Sequence, residues 1–225
     1  MPSTAPTRVH TRVPAAMRLG LAVLALCLLS AGLSAPAAAE DRLYEFETAF
    51  LKYAYAKGKS EGVRVVYIAD HGRLRYEDTT RSGFGSDVHE TIIYKGDTAY
   101  NIDWDKKRIE KSTVKRQAIG FDVEALVKKL GSLEAAYFQL TDQGVYLRPD
   151  EPVLGYMCQS WIESTGREER SYAAYRGVPM TMKLSRKRRW GEERIEEQMS
   201  ANKAQFDIWI EPGRFELPEG FQIVD

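Results

Sequence analysis

Short runs of β-branched and aromatic residues, each closed by glycine, aspartate or lysine, recur along most of this sequence. The clearest example is TIIYKGDTAYNI, in which residues 95–97 separate two strand-like runs, and the chain turns again six residues later at DWDKK. Turns this close together leave no room for the crossover connections that parallel strands need. The pattern therefore predicts an antiparallel meander, in which strands that are adjacent in sequence are neighbours in the sheet.

The pattern changes once, in the stretch FDVEALVKKLG over residues 121–131. Asp122 stands where an N-cap residue is preferred, and Gly131 stands at the C-cap. The apolar residues between them fall on one face of a helix: Val123, Leu126, Val127 and Leu130. The following SLEAAYF, behind Ser132, is a candidate for a short second helix. The sequence thus predicts one strong helix between two sets of strands.

Many strands in one sheet must curl, because strand twist accumulates across the sheet. Strand-like runs resume at GVYLRPD and continue to the closing RFELPEGFQIVD. We therefore expect a mainly β fold of the α+β type. Its form is a curved antiparallel sheet or half-open barrel with a helical insertion, and the helix covers the concave face.

The first 39 residues have the features of an export signal. Three arginines precede an apolar run over residues 19–33, and small residues follow up to Ala39. We expect a signal peptide over residues 1–39, cleaved after Ala39, and one domain over residues 40–225 in the periplasm. An uncleaved membrane anchor is the alternative interpretation of the same apolar run.

The charge balance argues against nucleic acid as a partner. The chain has 32 basic and 32 acidic residues, and residues 1–39 contain three of the basic and none of the acidic ones. The remaining 29 basic residues against 32 acidic ones make the expected mature domain slightly acidic. Binding to phosphate backbones needs an excess of basic residues on one face.

Two stretches resemble ligand-binding loops but lack essential parts. Asp103 and Asp105 in IDWDKK are typical of a hairpin turn, because the central glycine and distal glutamate of a calcium loop are absent. Gly83 and Gly85 in SGFGSDVHE are not followed by a helix, so the amides that bind phosphate are missing. The sequence predicts neither a metal site nor a cofactor.

Cys158 is the only cysteine after residue 39, and it lies in VLGYMCQSWIES. A thiol nucleophile needs a base that generates thiolate at neutral pH. His71 and His89 are the only histidines in the expected mature domain, and neither belongs to a nucleophile motif. We interpret Cys158 as a small apolar side chain in the core, with a cross-link to a second protein as the alternative. We expect no catalytic residues and no enzymatic activity.

The boldest charge feature is SRKRRWGEERIEEQ, in which four basic residues stand beside a tryptophan. Such a group can dock on an anionic membrane surface. Acidic residues follow at once, however, and a turn at residues 190–191 places Arg189 opposite Glu192. The same turn places Arg188 opposite Glu193. We favour this self-paired hairpin over the membrane patch.

Four segments together resemble a known superfamily: IIYKGDTAYNIDWDKKRIEKS, VLGYMCQSWIES, AAYRGVPMTMKLS and FELPEGFQI. They resemble a group of exported bacterial proteins in the superfamily of the LolA-type lipoprotein carriers, over most of residues 43–223. The shared motifs, such as YRGVP and LPEGF, are turns and strands without catalytic residues. The resemblance implies an incomplete barrel with helices against its concave side. It also implies an apolar cavity, which receives acyl chains in the carriers.

Apolar side chains occur on both faces of the strand predicted around Cys158, which indicates cover on both faces or a cavity on one of them. The nearby PMTMK adds two adaptable methionines. The candidate residues for lining a cavity are Tyr156, Met157, Trp161, Met180 and Met182. Ordinary core packing is the alternative for all five.

These observations lead to two hypotheses about function. The first is a non-enzymatic periplasmic protein that binds a lipid, an acyl chain or another apolar ligand in a half-barrel cavity, with a role in envelope lipid or lipoprotein handling. The alternative is a cell-envelope interaction module that binds a protein or a membrane surface through the sheet or through the hairpin at residues 186–197. A monomer is expected in either case.

Overall fold

The computed structural model describes residues 42–83, 87–187 and 193–224, so the expected signal peptide and its cleavage site lie outside the described residues. The described chain forms a twelve-stranded sheet and two α-helices. The strands are β1 Ala49–Lys57, β2 Ser60–Ala69, β3 Leu74–Ser82, β4 Val88–Lys95, β5 Thr98–Asp103, β6 Arg108–Thr113, β7 Val145–Val153, β8 Tyr156–Thr165, β9 Glu168–Tyr175, β10 Val178–Lys187, β11 Glu193–Phe206 and β12 Gln222–Val224. The helices are α1 Val123–Leu130 and α2 Leu133–Asp142.

The sheet is open, and its order is β12-β6-β5-β4-β3-β2-β1-β11-β10-β9-β8-β7. Strands β1 to β6 and strands β7 to β11 form two antiparallel meanders, as the spacing of the turns predicts. The pairing of β1 with β11 joins the two halves. The fold is therefore mainly β, with both helices in the connection between the halves.

The prediction of an entirely antiparallel sheet is wrong at one edge, because β12 pairs with β6 in parallel. After β11 the chain crosses one face of the sheet through residues 207–221 before it reaches β6. Leu217 and Phe221 pack on that face against Ile93, Ile102 and Ile109. Both edges of β11 are already paired, with β1 and β10, so β12 cannot follow by a tight turn and instead pairs with the edge of β6. The sheet is therefore mixed.

The sequence also predicts two separate strands in GEERIEEQMSA and QFDIWIE, where the structure has the single strand β11, which ends at Phe206. The second prediction is wrong, because residues 207–211 do not form a strand. The register of β1 with β11 shifts between Lys52 and Tyr53, so a β-bulge replaces the expected turn. Asp207 directly follows the end of the strand, with a φ of 53°. Its amide donates to the Thr48 carbonyl (2.8 Å), and its Oδ1 accepts from the Glu47 amide (3.0 Å).

Side chains and glycine define the ends of the helices. Asp122 Oδ1 accepts from the Ala125 amide (2.8 Å) at the start of α1, and Gly131 ends α1 with φ 85°. Ser132 Oγ caps α2 in the same way through the Ala135 amide (3.1 Å). Within the described part of the chain, neither helix is long and apolar enough to cross a membrane.

Three groups of buried side chains form the core. The largest centres on β1 and contains Leu51, Tyr53, Cys158 and Met180. A second lies beneath the helices and contains Leu140, Val145, Trp161 and Ala174. The third is the isoleucine group beneath the segment that leads to β12. The sheet is thus covered on different faces along its width.

Candidate functional site

The five candidate cavity residues are divided between two core clusters and the surface. Trp161 is 1% exposed and belongs to the cluster beneath the helices, whereas Met180 is fully buried in the largest cluster. Tyr156 and Met182 are partly buried against that largest cluster. Met157 is 61% exposed, so it contributes to the surface. Their role in ligand binding stays a prediction.

Trp161 is enclosed by aromatic rings. Tyr172 stacks on it with ring centroids 5.0 Å apart, and Phe121 meets it edge-on at 5.4 Å. The side chain of Gln159 fixes Phe121 by donating to its carbonyl and accepting from its amide, both at 2.8 Å. The chain before α1 is thereby tied across this face of the sheet, and the indole is packed in a core.

Cys158 is fully buried in the middle of β8, in agreement with its interpretation as a core residue. Burial raises the pKa of its thiol. His89 lies on β4, which six strands separate from β8 in the sheet order, and its Nε2 contacts Asp78 Oδ1 at 2.7 Å. His71 lies in the 3-10 turn Asp70–Gly72.

The register of the basic hairpin differs from the predicted one. The partner of Glu193 is Lys187, not Arg188, because a β-bulge between Leu184 and Ser185 shifts the ladder by one residue. Arg186 forms ion pairs with acidic residues on both neighbouring strands, Glu168 of β9 and Glu196 of β11. The predicted turn and the pair of Arg189 with Glu192 lie outside the described residues. At the described base of the hairpin, the basic side chain of Arg186 is therefore paired with carboxylates of the same sheet.

Sequence patterns gave no indication of a cluster of arginine and tyrosine side chains on the sheet. The Arg64 guanidinium lies 4.2 Å from the ring centroid of Tyr55, and Arg75 Nε lies 2.7 Å from Glu77 Oε1. Arg75 and Arg116 both approach the ring of Tyr94, at 5.9 and 5.3 Å. Burial and the charge of Arg75 lower the pKa of Arg116. The cluster therefore holds more positive than negative charge.

Tyr55 in this cluster makes stability depend on alkaline pH. Burial, and the hydrogen bond that its hydroxyl donates to Glu197 (2.7 Å), raise its pKa from 10.0 to about 12. Because the folded state holds this proton more tightly, the stabilisation is complete below pH 10.0 and is lost as the pH rises to about 12. The unfolding free energy of the wild-type protein should therefore fall between pH 10.0 and about 12, and we expect it to fall less in Tyr55→Phe, as measured by urea unfolding. Tyr146→Phe is the control, because Tyr146 is half-exposed. If the unfolding free energy depended on pH equally in the two variants, the assignment to Tyr55 would be refuted.

The helices carry an apolar surface that faces away from the sheet. In α2, Ala136 and Leu140 are buried, whereas Phe138 is 75% exposed. Phe138 lies about 200° around the helix from each of these buried residues, since a helical residue advances by about 100°. Leu133 and Tyr137 of the same helix are also exposed. An amphipathic helix packed on a sheet ordinarily turns such side chains inwards.

Phe138 forms one side of an open cleft of about 530 Å³ between the two helices. We call it the helix cleft, and its lining residues are Leu130, Ser132, Glu134, Ala135, Phe138 and Gln139. Lys128 and Lys129 lie exposed in the last turn of α1, directly before Leu130. The cleft thus has apolar walls, and the charged residues in it or directly before Leu130 are one glutamate, Glu134, and the two lysines.

Comparison with protein-family models gives no match, and neither does comparison with curated proteins. Solved structures do match. An uncharacterized conserved protein from Thermus thermophilus has a TM-score of 0.50 at 11% identity, over 80% of this chain and 91% of its own. This likeness shows a shared fold.

MucB also resembles this chain. The crystal structure of MucB has a TM-score of 0.47 at 13% identity, covering 83% of this chain and 62% of its own. The MucA/MucB complex of Pseudomonas aeruginosa has a TM-score of 0.49 at 12% identity, with 83% and 60% covered. The chain therefore spans less than two thirds of the length of these MucB structures.

Proposed function

We propose that this protein is an exported, non-enzymatic binding protein of the bacterial cell envelope, and that it holds a protein partner at the helix cleft. The observation that carries the proposal is the outward position of Phe138. An aromatic side chain exposed to this extent, beside further exposed apolar residues, is typical of an interaction surface. This develops the interaction-module hypothesis and moves its site from the hairpin to the helices.

A protein partner suits the helix cleft better than an acyl chain does. An acyl chain gains most from an enclosed apolar cavity, and two of the candidate lining residues, Trp161 and Met180, belong to core clusters. The helix cleft is open, and Ser132, Glu134 and Gln139 give it a polar rim. Apolar contacts surrounded by a polar rim are the usual anatomy of a protein interface.

The charges beside the helix cleft indicate the kind of partner. Neither Lys128 nor Lys129 forms an ion pair with another residue in the described ranges, and both are exposed. An acidic residue on the partner, next to the apolar side chain that enters the cleft, would face the ammonium group of Lys129, which lies about 100° around α1 from Leu130. Lys128 adds positive charge to the same end of the helix. Such charge complementarity raises association rates and fixes orientation. The proposed partner is therefore an apolar segment flanked by acidic residues.

The proposal is tested by photo-cross-linking in the exported protein. A photo-reactive amino acid at Gln139 should give a protein adduct, whereas the same probe at the exposed Thr113 of β6 should not. With the captured partner purified, Phe138→Ala should weaken binding about tenfold or more, as measured by calorimetry. Lys128→Glu with Lys129→Glu should mainly slow association.

The matched control is Trp209→Ala, because Trp209 is 81% exposed and lies outside the helices. Partner binding that is unchanged in Phe138→Ala would refute the proposal. A photo-adduct with lipid but no protein would refute it as well. A fluorescent acyl chain that binds the wild-type protein and is lost in Phe138→Ala would support the lipid hypothesis in its place.

A further inference from the structure

A second cleft lies on the sheet face that residues 207–221 cross, and it is independent of the helix cleft. It has a volume of about 480 Å³, and we call it the C-terminal cleft. The buried side chains of Ile93 and Ile102 form its floor. The rings of Tyr76 and Trp104 also line it. It therefore offers flat aromatic surfaces above an apolar base.

Trp104 is held in place although it is 44% exposed. Its Nε1 donates to Thr91 Oγ1 at 2.8 Å, and the fully buried Thr91 donates in turn to Asp78 Oδ1 at 2.9 Å. Phe221 packs edge-on against the indole, with centroids 5.4 Å apart. A large exposed ring fixed in this way is preorganised for contact with a ligand.

Charged groups of both signs stand around the C-terminal cleft. The Arg214 guanidinium lies over the rings of Tyr67 and Tyr76, at 4.8 and 5.7 Å from their centroids. Glu211 and Glu216 line the same cleft, and within the described residues neither forms an ion pair. Hydrogen-bond donors and acceptors therefore converge on one aromatic-walled space.

This combination restricts the chemistry of a ligand. An anion would be repelled by the two carboxylates, and a cation on the aromatic wall beside Tyr76 would be repelled by Arg214. A wholly apolar ligand would remove the charged groups from water without giving them partners, which is costly. A neutral molecule with hydroxyl groups at its edge and an apolar face satisfies all of these groups at once. A pyranose sugar ring has this construction.

We propose that the C-terminal cleft binds a neutral sugar, with one ring face on Trp104. Glu211 and Glu216 accept hydrogen bonds from the hydroxyl groups of the sugar, and Arg214 donates to its oxygen atoms. The volume of about 480 Å³ is in the range of small-molecule sites. The sugar is either a free saccharide or the exposed end of an envelope glycan. The proposal does not depend on the function assigned to the helix cleft.

The test is binding of a panel of neutral di- to tetrasaccharides of glucose, galactose, mannose and N-acetylglucosamine. Saturation-transfer NMR on the full domain should detect at least one of them, and Trp104→Ala should weaken its binding about tenfold or more. Trp209→Ala, which changes an even more exposed tryptophan outside the cleft, should leave the binding unchanged. Stronger binding of the longer saccharides indicates a glycan end, and equal binding of all lengths indicates a free saccharide.

A second variant, Glu211→Gln with Glu216→Gln, tests the same cleft without removing a packed ring, so its result does not depend on whether Trp104→Ala folds. The amide oxygens still accept from hydroxyl groups, so binding of a neutral sugar should fall by less than about tenfold. Absence of binding across the panel overturns the proposal. Sugar binding that survives Trp104→Ala also overturns it. Ethanolamine, a small cation, is the last probe: if it binds better than any sugar and its binding is lost in the double glutamine variant, the cleft is a cation site rather than a sugar site.

Discussion

Replacing Trp161 by alanine is expected to lower the free energy of unfolding by about 3–5 kcal/mol. The indole is 1% exposed and lies between Tyr172 and Phe121. Its removal leaves a cavity that the surrounding strands, and the segment before α1 that carries Phe121, fill only in part. Met157→Ala, four residues earlier in β8, should change stability by less than about 0.5 kcal/mol, because Met157 is already exposed to solvent. Urea unfolding of both variants measures the difference.

The same pair of variants decides between a core and a ligand cavity around Trp161. If the indole lined an empty cavity, its truncation would remove few contacts, and the two variants would differ little in stability. They would then differ in their affinity for an acyl-chain probe. A large stability difference without acyl-chain binding to the wild-type protein identifies Trp161 as a packing residue.

The turns made most of the sheet predictable, because each hairpin is a local event. The turn at residues 95–97, for example, is enough to pair β4 with β5. The pairing of Ala49 with Phe206 is different, since these residues lie far apart in sequence and no turn connects them. The parallel strand β12 depends on a similarly non-local event, the packing of Phe221 on the third core cluster.

Burial was harder to predict than strand position. Met157 and Trp161 share one face by alternation, yet one is exposed and the other is buried. The difference arises because the segment before α1 covers Trp161 with Phe121. Gln159 holds that segment in place through a contact between residues 38 positions apart in sequence. Simple alternation also fails at β-bulges. One such bulge lies between Pro179 and Thr181, beside the fully buried Met180.

The two clefts were missed for a related reason. Phe138 looks like any apolar residue of a helix until Ala136 and Leu140 are known to form the buried side. Trp104 lies in a turn that the sequence identifies correctly. Its ring, however, is fixed by Thr91 of β4 and by Phe221, which lies directly before β12. The aromatic residues themselves are visible in the sequence, but only the packing around them indicates which are exposed and could meet a ligand.

Removing the negative charge of Glu77 is expected to cost on the order of 3 kcal/mol. Its side chain is 12% exposed, and its Oε1 lies 2.7 Å from Arg75 Nε. Burial, and after it the charge of Arg75, lower the pKa of the nearby Arg116, so the two guanidinium groups already repel each other. Glu77→Gln leaves Arg75 without this carboxylate in a largely buried site. Urea unfolding at neutral pH measures the loss.

Glu90→Gln on β4 is the matched control, because its partner is also an arginine of β3. Glu90 Oε1 lies 3.0 Å from Arg81 Nη2, but the carboxylate is far more exposed than that of Glu77, so its loss should cost less than about 1 kcal/mol. Arg75→Met with Glu77→Leu should recover most of the stability lost in Glu77→Gln, since the double change removes the buried charges together and relieves the repulsion on Arg116. If the double variant were less stable than Glu77→Gln, the contact of Arg75 with the ring of Tyr94, rather than its charge, would account for the stability of this face.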